Sequence, residues 1–230
     1  MKRLVLFDID GTLLNADGAG ARALRDALVQ VFGEHGPVGT YSMGGRTDPQ
    51  IVRELMTATG RTMDDIQPRL DEVWEVYLRN LRTEVARTRI ETLPGVPAVL
   101  DRVEAGGEPT LLGLLTGNVQ EGARMKMEAA GLGFDRFRVG AYGSDHGDRP
   151  ELPAVAARRA RELTGLDYAG KEIVIIGDTP FDIACGEHLG VRTIAVATGN
   201  HPAEELAACN PDYVFGDLSD VDAVWRAIAE

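Results

Sequence analysis

The chain of 230 residues is 44% hydrophobic and 26% charged, which allows a sizeable buried core and excludes overall disorder. Its formal charge of −12 opposes nucleic-acid backbones and anionic lipid, and polar residues interrupt every apolar run short of a membrane span. Cys185 and Cys209 stand apart, outside any CxxC or Cys/His metal spacing, and are expected to be reduced and without a catalytic role.

In chain order, the basic start Met1-Lys2-Arg3 reaches Asp8 before an apolar stretch of signal-peptide length, so a cytoplasmic protein is expected. Leu4-Val5-Leu6-Phe7 is a short apolar run that ends abruptly in Asp8-Ile9-Asp10-Gly11-Thr12, the pattern of a buried strand running into a loop. From residue 16 to 91 there is helical periodicity without a convincing buried strand. The expected helices cover 19–32, 49–59 and 63–87, the last with Leu70, Val73, Trp74, Tyr77, Leu78 and Leu81 at helical spacing. Leu93-Pro94-Gly95-Val96 marks the return, followed by a helix over 96–104. Further strands are expected over 110–115, 173–176, 191–196 and 213–215, and helices over 120–130, 152–164, 181–189 and 203–208. Strands alternating with helices imply right-handed crossovers and a parallel sheet covered on both faces. The expected architecture is therefore α/β: a doubly wound, Rossmann-like core from residues 1–15 and 92–230, with a small all-α insert over 16–91.

Ligands of such sheets bind outside the carboxyl ends of the strands, and three polar motifs fall there. Asp8 and Asp10 close the first strand. Two carboxylates at that point call for a cation, although Asp-x-Asp-Gly alone also fits a plain turn. Thr116-Gly117-Asn118 ends the second long strand at a helix start, where hydroxyl, amide and backbone N–H groups could cradle a phosphate or simply cap the helix. Gly177-Asp178-Thr179-Pro180-Phe181-Asp182 repeats the arrangement after 173–176, and capping alone could again explain either acid.

Taken together, in this order and at these strand ends, the motifs resemble the haloacid dehalogenase superfamily of hydrolases, and the helical insert resembles that family's small cap domain. The resemblance implies Asp8 as a nucleophile that forms an aspartyl-phosphate and Asp10 as the general acid/base. It implies Mg²⁺ held by Asp8, by the backbone carbonyl of Asp10 and by Asp178. Thr116 would bond the transferring phosphoryl group, Gly11, Gly117 and Asn118 would line its site, and Asp182 would support metal or base from behind. The family's basic motif, usually Lys-Pro, corresponds to Arg149-Pro150, with Arg158 and Arg159 on the following helix as competitors for the role.

Gly44-Gly45-Arg46-Thr47-Asp48 resembles the cap segment that approaches the active site in phosphoglycolate phosphatase-like members, placing Arg46 on the leaving group. A Gly-rich turn before an ordinary helix start explains the segment equally well. His35 and His146 lie among turn residues and are expected to be solvated. The implied activity is Mg²⁺-dependent hydrolysis of a small organic phosphate, phosphoglycolate-like or a sugar phosphate, by a monomer or homodimer. Asp10 argues against dehalogenase chemistry but is shared by phosphosugar mutases of the β-phosphoglucomutase type. A receiver-type phosphoacceptor module is a remoter alternative.

Overall fold

The computed structural model describes residues 2–107 and 109–230. Its core strands are β1 (Arg3–Phe7), β4 (Thr110–Leu115), β5 (Val139–Ala141), β6 (Ile173–Gly177), β7 (Arg192–Val196) and β8 (Tyr213–Phe215). They form one parallel sheet in the order β5-β4-β1-β6-β7-β8. The chain thus begins at the middle of the sheet, winds out to one edge, then returns and winds out to the other. The reversal lies at β1, and it opens a crevice above the carboxyl ends of β1, β4 and β6.

Leu4, Val5, Leu6 and Phe7 of β1 are all wholly buried, because a central parallel strand is covered on both faces. Strand alternation divides them. Val5 and Phe7 join Leu112, Leu114, Val174 and Ile176 in one apolar cluster, covered by α5 (Val96–Ala105) and α10 (Val221–Ala229). Leu4 and Leu6 join Leu111, Ile173 and Ile175 in another, covered by α7 (Leu152–Thr164). Each large apolar side chain so buried contributes about 1.5–3 kcal/mol, which anchors the strand whose end carries the acids.

The insert consists of α1 (Ala19–Phe32), α2 (Asp48–Thr57), α3 (Met63–Ile66) and α4 (Leu70–Arg87), with α1 packed along α4. Leu24, Leu28, Val73, Tyr77 and Leu81 are buried between and around these helices. The two crossings between core and insert are tied together, since β2 (Leu14–Asn15) pairs antiparallel with β3 (Glu91–Thr92). The remaining helices are α6 (Gln120–Ala129), α8 (Pro180–Ala184) and α9 (Ala203–Ala208).

Several expectations need correction. The helix over 63–87 is broken at Gln67–Arg69 by a 3₁₀ turn, because Pro68 has no N–H to continue the α-helical ladder. The helix over 181–189 stops at Ala184, and a 3₁₀ turn follows over Glu187–Leu189. Gly186 lies so close to Val191 and Ile175 that a side chain there would collide with both, so the chain turns against the sheet instead of continuing as a helix. The second helix of the insert begins one residue early, at Asp48, with the Thr47 hydroxyl accepting from Gln50 N at 3.2 Å. Strand β5 and helix α10 were not expected from the sequence.

Candidate active site

Asp8 leaves the end of β1 with its backbone N donating to Ile176 O at 2.9 Å, so the central sheet sets its position. Its carboxylate is buried on the floor of the crevice, where Arg149 Nη2 donates to Oδ1 at 3.0 Å. The same guanidinium bonds the Asp182 carboxylate, and its Nη1 donates to Gly45 O at 3.3 Å. Asp178 joins them from the end of β6 and accepts from the Thr12 hydroxyl at 3.0 Å. Carboxylate oxygens of Asp8, Asp178 and Asp182 lie within 4.8 Å of one another.

Three buried acids around one guanidinium leave negative charge uncompensated. Burial, opposed by Arg149 but reinforced by Asp182 and Asp10, pushes the Asp8 carboxyl up to about 7. Burial, reinforced by Asp182 and Asp8, pushes Asp178 up to about 8. Burial works against the Arg149 charge, but the two adjoining carboxylates, Asp182 and Asp8, prevail and hold it above the usual arginine range. All three acids offer hard oxygen donors, the set that suits a small divalent cation. Asp182 is the most heavily engaged, since its Oδ2 also accepts from Thr179 N at 3.0 Å and Thr179 Oγ1 at 2.6 Å as the cap of α8. Asp8 and Asp178 are therefore the freer ligands.

Asp10 points elsewhere. Its Oδ1 and Oδ2 accept from Lys126 Nζ at 2.9 and 2.7 Å, and Oδ2 also accepts from Asn118 Nδ2 at 2.8 Å. Asn118 Nδ2 donates to the wholly buried Thr116 hydroxyl at 2.8 Å, and Asn118 Oδ1 accepts from Lys126 Nζ at 2.7 Å. The Asp10 carboxylate thus lies outside the three-acid cluster. Gly11 begins the turn that follows Asp10, and its carbonyl accepts from the Thr198 hydroxyl at 2.6 Å.

The insert closes over this floor through residues 45–48. Asp48 N donates to Gly117 O at 2.8 Å, Asp48 Oδ2 accepts from Val119 N at 2.8 Å, and Thr47 Oγ1 donates to Gly147 O at 2.5 Å. Gly117 passes so close to the Arg46 carbonyl that a Cβ would overlap it. Burial, offset in part by Lys126 and the Val119 N–H, raises the Asp48 carboxyl to about 6. Between insert and core lies a cavity of about 560 Å³ whose walls include Asp8, Asp10, Thr116, Lys126, Arg149 and Asp178.

Among the three candidate arginines, Arg149 faces the site. Arg158 is exposed with only Glu162 beside it, at 3.8 Å, and Arg159 pairs with Asp145 at 2.6 Å. Arg46 lines the cavity, stacked between the rings of Tyr41 and Phe181, with Nη1 on Ser42 O at 2.6 Å and a buried Nε that has no hydrogen bond among the described residues. His35 and His146 are exposed, Cys185 is buried and Cys209 is exposed, both cysteines unpaired. No described helix is long and apolar enough to cross a membrane.

Sequence reasoning missed Lys126, and within the segment Gly44-Gly45-Arg46-Thr47-Asp48 it gave a role to Arg46 but none to Thr47 or Asp48. Lys126 had one signal: it interrupts the buried face formed by Ala123 and Met127, directly after the Thr116-Gly117-Asn118 loop.

A six-stranded doubly wound sheet with acids and a Thr-Gly-Asn loop at three neighbouring strand ends defines a hydrolase fold whose match to known proteins is direct. Residues 5–196 match the haloacid dehalogenase-like hydrolase family, and the chain belongs to it. It is similar to the phosphoglycolate phosphatase of Yersinia pseudotuberculosis, 26% identical across 95% of this chain and 91% of that one. It is also similar to the pyrophosphatase PpaX of Anoxybacillus flavithermus, 25% identical across 94% of each. A hydrolase from Pseudomonas syringae shares the fold, with a TM-score of 0.75 and 19% identity over the whole of both chains.

Proposed function

We propose that this hydrolase is a Mg²⁺-dependent phosphatase that cleaves a small phosphomonoester through an aspartyl-phosphate on Asp8. The observation that carries the reading is Asp8 itself: a buried carboxylate on the cavity floor, ion-paired at one oxygen by Arg149 and beside a second acid at the end of the neighbouring strand. Asp8 and Asp178 would hold Mg²⁺ together with the Asp10 carbonyl. When bound, the ion supplies positive charge that lets an anionic phosphate approach the carboxylates.

The chain's own groups divide the remaining work. An Asp8 oxygen attacks phosphorus as the bond to the leaving oxygen breaks, and Asp10 gives that oxygen a proton. Water then attacks the aspartyl-phosphate, Asp10 takes the proton back, and phosphate leaves Asp8 as the carboxylate again. Arg149 fixes Asp8 and meets the phosphoryl charge, while Thr116, Gly117 and Asn118 supply neutral donors. The insert admits substrate when raised and excludes water when seated on Gly117 and Val119. Arg46 lines the cavity with its Nε 3.6 Å from the Glu54 carboxylate, and its guanidinium is placed to meet the leaving group. The named relatives act on phosphoglycolate and pyrophosphate, which favours a compact leaving group that is itself anionic.

The test is phosphate release from a panel of small phosphate esters by wild type and Asp8→Asn, each with Mg²⁺ and with chelator. Multiple turnover that requires both Asp8 and Mg²⁺ is expected. Turnover by Asp8→Asn at the wild-type rate would overturn the mechanism, and phosphate delivered to a sugar hydroxyl in place of water would make the chain a mutase.

A further inference from the structure

We infer that Lys126 is a positioning residue that fixes the orientation of the Asp10 carboxylate and, through Asn118, of the Thr116 hydroxyl. The inference rests on the proposed role of Asp10 and extends it to a residue two turns into α6. Lys126 is 4% exposed, a rare setting for lysine, and an ammonium is taken from water only at substantial free-energy cost. Its partner does not demand that. The Asp10 side chain is 40% exposed and open to the cavity, so water alone could solvate it. A leucine or methionine at this place on the buried face of α6 would fill the space without desolvating a charge. Lys126 also offsets the buried charge of Asp48, but that calls only for a positive charge nearby, whereas the bonds to Asp10 and Asn118 call for an ammonium at one point.

Lys126 Nζ donates to both oxygens of Asp10 and to Asn118 Oδ1, while Asn118 Nδ2 donates to Asp10 Oδ2 and to Thr116 Oγ1. The contacts close a ring in which Asp10 is gripped from one side and the amide of Asn118 has one orientation. With its carbonyl on Lys126, its NH₂ must face Asp10 and Thr116. The insert backs this ring. A side chain at Gly20 would come within 3.1 Å of Lys126 Nζ and 3.7 Å of the Tyr77 hydroxyl, so α1 and α4 stand directly against the ammonium at the cavity wall. A carboxylate meant to exchange a proton with a leaving oxygen and then with water gains from such fixed geometry, because misplacement by ~1 Å can cost ~10²-fold in rate.

The test compares wild type, Asp8→Asn, Asp10→Asn and Lys126→Met on a series of aryl phosphates running from 4-nitrophenyl to 4-methoxyphenyl phosphate. The nitrophenolate departs without a proton, whereas the methoxyphenolate benefits from one. Wild-type rates should depend weakly on the leaving group, and Asp10→Asn rates steeply. Lys126→Met should follow Asp10→Asn, losing about tenfold more on the methoxyphenyl than on the nitrophenyl ester, a fraction of the ~10²–10⁴-fold that general acid–base catalysis supplies. KM should be nearly unchanged. Lys126→Gln, which keeps a donor but shortens the reach, replaces the methionine variant if thermal melting shows that protein to be unfolded. A Lys126 variant whose rates run parallel to wild type across the series, whether lowered uniformly or not at all, overturns the inference alone. Failure of wild type to turn over any ester, or turnover undiminished in Asp8→Asn, overturns the phosphatase reading and the inference with it.

Discussion

Around Asp8, three buried acids cluster and two of them, Asp8 and Asp182, share the guanidinium of Arg149; around Asp10, one half-exposed acid accepts from both the ammonium of Lys126 and the amide of Asn118. The first region is short of positive charge and has carboxyls pushed toward and beyond neutrality, whereas the second is balanced within the chain. Under the proposed mechanism the first region is the one that would take a cation, and the second is already paired within the chain. The contrast predicts that substitutions in the two regions fail in different ways.

The largest effect should come from unbalancing the Asp8 side further. Arg149→Ala is expected to lower kcat by about 10²–10³-fold, the scale of losing one transition-state donor, with Arg149→Lys between it and wild type. Arg158→Ala should leave steady-state kinetics unchanged, and a comparable loss there would reassign the basic role. Next in size is removal of an acid. The folded-state carboxyls of Asp8 and Asp178 are raised, so the stability they contribute is present below about pH 4 and is lost as pH rises to about 8. Asp178→Asn should therefore raise the Tm of metal-free protein at about pH 8 by several degrees, with little change near pH 4, and should abolish stabilisation by Mg²⁺. Calorimetry with and without Mg²⁺ checks both signs, and a variant still stabilised by Mg²⁺ would remove Asp178 from the metal site.

Smaller effects should mark where the insert meets the core. Gly117→Ala forces apart Gly117 and the Arg46 carbonyl, an overpacking worth about 1–3 kcal/mol, and should increase hydrogen exchange at Asp48 and Val119. The Asp48 carboxyl is also raised, so wild-type stability should fall between about pH 4 and pH 6 by an amount absent from Asp48→Asn. Identical melting-temperature profiles for the two proteins over that range would contradict the burial of its charge. Arg46→Ala should change overall rate least and substrate preference most; an unchanged ranking across the ester panel would show that Arg46 only staples Tyr41 to Phe181.

The sheet was legible because its strands are continuous apolar runs that end in acids or in Thr-Gly-Asn. β5 escaped notice because Val139-Gly140-Ala141 is too short and too small-sided to form such a run. α10 escaped although Val221, Val224 and Ile228 lie at helical spacing. In the site, Asp8, Asp178 and Thr116 could be placed from strand ends, whereas choosing among Arg149, Arg158 and Arg159 required knowing which way α7 turns its faces. Lys126 and Asp48 were out of reach for another reason. Their importance lies in partners distant in sequence, Asp10 for one and the backbone of Gly117 and Val119 for the other, and no local pattern encodes such pairings.

The short ribbon of β2 and β3 has an evolutionary reading. Leu14 pairs with Thr92 and Asn15 with Glu91, so the chain enters and leaves the insert on neighbouring rungs about 5 Å apart. Insertions between them start and end at this fixed pair of anchors, so they need not shift the register of a core strand. A lineage that rewrote residues 16–90 would keep the strand-end acids in place, whereas the bonds that Thr47 and Asp48 make to Gly147, Gly117 and Val119 would have to be rebuilt.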